Sequence, residues 1–249
     1  MKVMVEYRAN FVMLIMSFLI EQASGIAALF FMFNAIHSIE GWELNELLLL
    51  YGIFQIPRGI DHLFADRIWN IPRMVVKGEL DKYLIKPVSP LFLITFDKFE
   101  ISALGEIVVG VGLLLMTIPN LVIEWTIAKV VIFLFMILAS TLIYTCIKIA
   151  GASISLFVQN SFVMLQTMYN LSSFGKYPTS VYPKLLRYVS TYLIPFAFTA
   201  YYPTAYILNK DGVTASSAVS GLLFALLFIG AIAAFLWNYG IRRYESAGS

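Results

Sequence analysis

The sequence predicts an all-α polytopic membrane protein of six transmembrane helices. A basic helical element lies between spans two and three, and a re-entrant helical hairpin precedes span six. Three observations carry this expectation. Hydrophobic residues make up 60% of the 249-residue chain and charged residues 13%, against roughly 25% charged in a soluble domain. Mean hydropathy is +0.82. Apolar runs of the roughly 20 residues that a bilayer crossing needs recur along the chain with short polar intervals. Residues 1–249 therefore read as a single membrane domain. The net charge of +2 is too small to suggest nucleic acid as a partner. One cysteine, Cys146, allows neither an intrachain disulfide nor a cysteine metal cluster.

Span one is expected over about 11–36, with Lys2 and Arg8 on its cytoplasmic side. The run is too long for a signal-peptide core, and Ala23-Ser24-Gly25 sits inside it rather than after it. Glu21 falls near mid-membrane. Gly41-Trp42 follows in an acidic outer loop, where the tryptophan suits an interfacial anchor. Span two, about 44–65, is apolar in its outer half. Its inner half carries Pro57, Arg58, Asp61 and His62, and Arg58 can pair with Asp61 three residues on.

Residues 67–90 form the basic interval. Ile71, Met74 and Val75 make one short apolar face at helical spacing, and Leu80, Tyr83 and Leu84 a second. Lys77-Gly78-Glu79 separates them, with Arg73 and Asp81 flanking, and Pro87 and Pro90 end the element. The expected form is two amphipathic helices across the mouth of the membrane domain. Span three is expected over about 91–118, with Asp97, Lys98 and Glu100 in its first turns and Glu106 deeper. Gly105, Gly110 and Gly112 leave room for a neighbouring helix.

Span four, about 125–147, ends at an expected tight turn of Lys148 and Gly151. Span five, about 152–174, is the most polar. As one continuous helix it would hold Ser155, Gln159, Gln166, Asn170 and Ser173 within about 60° of one face. Such a stripe faces another helix or a water-filled path. Residues 176–211 include an apolar stretch broken by Pro195 and Pro203. Each piece is too short for the roughly 30 Å core, so the stretch reads as a hairpin dipping in from outside. Span six, about 213–239, ends at Arg242 and Arg243. An even span count puts these with Lys2 and Arg8 in the cytoplasm.

No G-x-x-x-x-G-K-[ST] loop, H-E-x-x-H helix or G-x-S-x-G elbow is present, so the chain is read as neither an ATPase nor an embedded hydrolase. Glu21, Arg58, Asp61 and Glu106 are the ionisable groups expected at membrane depth. They either tie helices together or line a substrate route.

Residues 78–92, GELDKYLIKPVSPLF, resemble the loop between the second and third spans of bacterial ABC type 2 exporter permeases, the six-span subfamily often encoded as paired permeases beside a separate ATPase. Arg8, Gly41-Trp42, residues 58–61, and the segments FGKYPTSVYP and IPFAFTAYYP resemble the same pattern. The resemblance implies a half-transporter in the bacterial cytoplasmic membrane, multi-pass, with both termini cytoplasmic. It would pair with a second permease as a homodimer or heterodimer, within membrane lipid, on cytosolic ABC ATPase subunits. No cofactor is expected in this chain, since ATP and Mg would bind the partner ATPase. Residues 67–90 would supply the coupling helices, and Arg73, Met74, Val75, Lys77, Gly78 and Glu79, with Leu80, Asp81, Tyr83 and Leu84, would meet the ATPase. Glu21, Arg58, Asp61 and Glu106, with Ser155, Gln159, Gln166 and Asn170, would line the path. Tyr177, Pro178, Pro195, Tyr202 and Pro203 would form the external gate. The implied cargo is a drug, an antimicrobial peptide or a lipid-like molecule. An ion-coupled secondary transporter and a non-transporting assembly subunit remain as alternatives.

Overall fold

The second expected span turns out to be the axis of the molecule. The computed structural model describes residues 2–158 and 161–245, without the side chains of residues 2–12, 14 and 15. Helix α2 spans Leu44–Ala65, and every residue from Leu47 to Gln55 is buried. A helix apolar on all sides has no solvent face and belongs inside a bundle.

Helix α1 (Lys2–Ala35) lies against α2. Among its described side chains only Gln22 and Leu29 are buried. The connection to α2 reverses at Glu40 and Gly41, both left-handed with φ of 49° and 79°. Two successive positive-φ residues form the tight turn that closes a two-residue hairpin. Ile39 and Trp42 accordingly exchange backbone hydrogen bonds of 3.0 and 2.9 Å. Trp42 is not the lipid anchor expected of it: it is buried, with the Tyr201 ring 5.9 Å away.

The basic interval folds as expected into short helices, α3 (Ile71–Val76) and α4 (Asp81–Leu84), with Gly78 at φ 67° between them. Their apolar faces are turned inward. Ile71, Met74, Leu80 and Tyr83 join Ala152, Leu165 and Trp237 in a second core. That core closes what we call the basic end of the bundle. Arg67 and the Tyr83 hydroxyl both reach Asp97, at 3.3 and 3.1 Å.

The third expected span is interrupted. Helix α5 (Pro90–Thr95) is separate, and the chain straightens at 97–100 before a 3-10 turn leads into α6 (Leu104–Thr117). Asp97 and Glu100 therefore cap a bend rather than extend a helix, and the Glu100 N–H donates to the Leu63 carbonyl at 3.1 Å. Helix α6 packs along α2 with backbones nearly touching. A Cβ on Gly110 would lie 2.8 Å from the Gly52 carbonyl oxygen, and one on Gly52 would lie 3.0 Å from that of Gly110. Small residues at both sides of a crossing permit this approach. Gly112, by contrast, faces open space.

Helix α7 (Ile127–Ser153) packs on α2 and carries α11 (Ala215–Arg243) along its length. The turn expected at Lys148 and Gly151 is absent, because α7 runs through both. The break comes later, after the 3-10 turn Ile154–Leu156. The returning segment is the nine-residue α8 (Phe162–Asn170) followed by a 3-10 stretch, Leu171–Lys176. Span five is thus not one helix, and the continuous polar face computed for it does not exist.

At the opposite end, residues 184–207 form two arms. The first is α9 (Lys184–Tyr188) with one π turn, Val189–Leu193. The second is a 3-10 turn, Phe196–Thr199, with α10 (Tyr201–Ile207). Ile194-Pro195 separates them, as the prolines predict. The first arm exposes Leu185, Tyr188, Tyr192 and Leu193, whereas the second is buried almost throughout. Among the described residues, four helical stretches are long and apolar enough to cross a membrane: Met16–Ala35, Ile101–Asn120, Ile127–Leu156 and Ala215–Arg243.

Candidate functional site

Charges meet where α2, α6, α7 and α8 converge, toward the basic end. Asp61 and Lys148 form an ion pair of 2.8 Å, with both side chains wholly buried. Lys148 Nζ also donates to the Ala65 carbonyl at 3.0 Å, and Thr145 Oγ1 donates to Asp61 Oδ1 at 2.7 Å. A buried charge is tolerated only when it is paired and its remaining hydrogen-bonding capacity is met. One turn away, Glu106 Oε1 sits 3.0 Å from His62 Nδ1, and Glu106 Oε2 sits 3.8 Å from Arg58 Nε. Glu106 occupies the first turn of α6, where unpaired N–H groups favour a carboxylate. With His62 neutral, two cations face two carboxylates and the site carries no net charge.

Tyr169 joins the two halves. Its hydroxyl lies 2.8 Å from His62 Nε2 and 3.4 Å from Asp61 Oδ2. A hydroxyl has one proton, so it donates to one of them at a time. If His62 is neutral and gives its Nδ1 proton to Glu106, the Tyr169 proton goes to Nε2. If His62 is charged, Nε2 donates instead and the Tyr169 proton is free for Asp61.

Tyr169 is also the meeting point of two ring contacts leading to opposite ends. Toward the basic end, Trp69 lies 5.1 Å away by ring centroids. Trp69 sits in the 3-10 turn Asp66–Asn70 that leads directly into α3. Toward the hairpin end, Tyr144 lies 5.9 Å away, and the Phe196 ring of the second hairpin arm lies 5.5 Å beyond it. Thr199 Oγ1 adds a 3.2 Å hydrogen bond to the Tyr144 hydroxyl. Trp69, Tyr169, Tyr144 and Phe196 thus form a continuous aromatic column between the turn that leads into α3 and the second hairpin arm.

A family model described as ABC-2 family transporter protein matches residues 19–248. The chain belongs to the ABC-2 transporter family. Neither the curated proteins nor the solved structures contain a match to it. As an ABC-2 permease it is a membrane protein and a transmembrane subunit, not itself the catalytic one, and its family works with an ATPase subunit.

The permease brings together only some of the residues expected to act. Arg58, Asp61 and Glu106 converge, but Arg58 does not pair with Asp61. Each finds a partner on another helix, Glu106 for one and Lys148 for the other. Glu21 is exposed, and the buried polar group of α1 is its neighbour Gln22. Gln22 Oε1 accepts from the Tyr51 hydroxyl at 2.9 Å and from Gln55 Nε2. Ser155 is buried and returns its proton to the Ala152 carbonyl at 2.6 Å. Gln166 and Asn170 are exposed on α8, and Gln159 lies outside the described residues. Of the expected gate, Pro178, Pro195 and Pro203 are buried, Tyr177 is half-buried, and Tyr202 stacks on Phe198 at 4.4 Å.

Of the residues expected to meet an ATPase, Met74, Leu80 and Tyr83 are buried, and Val75, Asp81 and Leu84 are half-buried. Arg73, Lys77 and Glu79 are exposed, beside Val76 and Ile85, which the sequence reading did not single out. Lys148, Thr145 and Tyr169 were also missed. Lys148 carried the one available signal, a lone cation between two strongly apolar runs.

Proposed function

We propose that this permease is the membrane half of an ATP-driven exporter, and that the aromatic column through Tyr169 carries the stroke. The contact of Tyr169 with both Trp69 and Tyr144 is the observation that supports this reading. In it, the chain crosses the membrane six times, with α2 and the α8 segment joining the four strongly apolar stretches. Both termini and the basic end face the cytoplasm. A second permease subunit completes the path, and ATP with Mg binds the cytosolic ATPase. ATPase closure presses on exposed residues in α3 and in the turns flanking α4: Arg73, Val76, Lys77, Glu79 and Ile85. Displacement of Trp69 shifts Tyr169, which changes its hydrogen bond within the Asp61, His62 and Glu106 cluster. Tyr144 transmits that shift to Phe196 and the hairpin, which opens. The cargo is a drug, an antimicrobial peptide or a lipid-like molecule.

Uptake by inverted vesicles separates this reading from its rivals. Transport is expected to require ATP and the co-purified ATPase. Tyr169→Ala is expected to leave ATPase binding intact and to reduce transport at least tenfold, because it removes the column's central ring. Full transport by Tyr169→Ala would refute the route. A second reading has one specific support: the Glu106, His62, Tyr169 and Asp61 chain can reassign a proton, as an ion-coupled carrier needs. Uptake driven by a pH gradient in vesicles lacking ATP would favour it.

A further inference from the structure

The first hairpin arm holds a cavity of about 260 Å³ that the coupling route does not use. Lys184, Arg187, Tyr188, Thr191, Tyr192 and Tyr202 line it, with Thr179 at its edge. Two basic residues and five hydroxyl-bearing ones therefore line one space, and no acidic residue does among the described residues. Arg187 Nε and Nη2 donate to the carbonyls of Thr179 and Ser180, both at 3.0 Å. Those bonds fix the guanidinium but leave its charge uncompensated, because both acceptors are neutral. The Lys184 ammonium makes no hydrogen bond or ion pair with the described residues. The rings of Tyr188 and Tyr192 pack together at 5.1 Å while remaining 63% and 58% exposed. Beside them Leu185 is 74% exposed and Leu193 59%.

We propose that this cavity binds the phosphate of an anionic lipid headgroup, with Lys184 and Arg187 on the phosphate and tyrosine hydroxyls on its oxygens. Its volume falls below the usual range for a drug-sized ligand, so it admits a headgroup and leaves the chains outside. The exposed apolar side chains beside it give those chains a surface. Tyrosine at a membrane interface places its ring in the acyl boundary and its hydroxyl among headgroups. Lack of a carboxylate selects a net negative headgroup over a zwitterionic one, which would bring an ammonium with no partner. The membrane part of the inference rests on the hairpin lying at a bilayer surface.

Native mass spectrometry of the complete permease tests it. In nanodiscs of phosphatidylcholine with minor phosphatidylglycerol, the wild type is expected to retain phosphatidylglycerol preferentially. Lys184→Gln should weaken retention about fivefold, the loss of one basic contact to an anionic lipid. Arg187→Lys should weaken it too, because the fixed fork is lost while the charge stays. Equal retention of both lipids by the wild type, or no effect of Lys184→Gln, would overturn the proposal. Short-chain phosphatidylglycerol added in detergent probes the cavity without a bilayer. Binding there, combined with tags placing Lys184 in the cytoplasm, would keep the site and remove only the external hairpin. Inorganic phosphate that competes as well as the lipid would reduce the site to a free-phosphate site and end the lipid assignment.

Discussion

Asp61 and Lys148 are separated by 87 positions in the chain and by 2.8 Å in space. Neither side chain contacts water, so each is the other's only source of charge compensation at that distance. Removing one partner strands the other, which costs about 3–5 kcal/mol in a buried site, whereas replacing both by groups of similar shape is far milder. Lys148→Met is therefore expected to lower thermal stability in detergent sharply, as Asp61→Asn should. The double variant should recover much of the loss. Melting temperatures of the four forms check this, and losses that simply add would show that the two groups act independently. Arg58 is placed differently. Its guanidinium lies 5.6 Å from the Phe54 ring centroid, and Lys176 Nζ lies at the same distance from that ring. A ring quadrupole thus offsets part of what one shared carboxylate, Glu106, does not.

Among the elements, α3 and α4 show how burial redirects a functional surface. Their apolar faces have the amphipathic spacing of a docking helix, yet those faces complete the protein's own second core. In the proposed reading a partner meets the other side. Ile85, 84% exposed, offers an apolar contact there, while Met74 is 2% exposed. Ile85→Asp is expected to abolish ATPase co-purification with normal membrane yield, and Met74→Asp to lower the yield itself. A pull-down normalised to membrane content distinguishes the two, and full ATPase recovery with Ile85→Asp would move the interface elsewhere. The long helices α1, α7 and α11 were legible because length and apolarity suffice to identify them. The boundary between α7 and α8 was not. Lys148 and Gly151 have the chemistry of a turn, but Lys148 is claimed by Asp61. Gly151 is kept bare for Leu165, whose Cδ1 would lie 2.8 Å from an added Cβ. The true break, after the 3-10 turn Ile154–Leu156, contains no proline or glycine to mark it. The helix break at Pro195 was legible for the opposite reason, since a proline there leaves little choice.

At the scale of the whole molecule, two ties hold the hairpin end together. Lys210 pairs with Glu46, donates to the Gly41 carbonyl at 2.6 Å and lies over the Trp42 ring at 5.0 Å. The Tyr201 hydroxyl donates to Asp211 at 2.7 Å. Lys210 thereby fastens the loop before α11 to the start of α2, so residues 41, 46 and 210 share one end of the bundle. Tags inserted at Lys176 and after Lys210 are expected to be accessible from outside intact cells, and tags at both termini only after permeabilisation. A cytoplasmic signal after Lys210 would invert the arrangement. The site as a whole was only half legible. Arg58, Asp61 and Glu106 stand out as charges in apolar surroundings, but which of them meet depends on how four helices are arranged around α2. No local spacing encodes that.

The polar second half of α2 has a consequence for how the chain is made. Arg58 and Asp61 leave the ribosome well before Glu106 and Lys148 exist. Near the centre of a lone helix, each such charge adds about 2.5–3.5 kcal/mol to the cost of leaving the translocon for lipid. Their partners arrive with α6 and α7. If α2 crosses the membrane as proposed, it is thus the span expected to settle least readily in the bilayer by itself during synthesis. It is then expected to wait at the protein-conducting channel, or beside a chaperone, until later segments are delivered. Biogenesis of this permease then ends by enclosing its second helix rather than by adding its last.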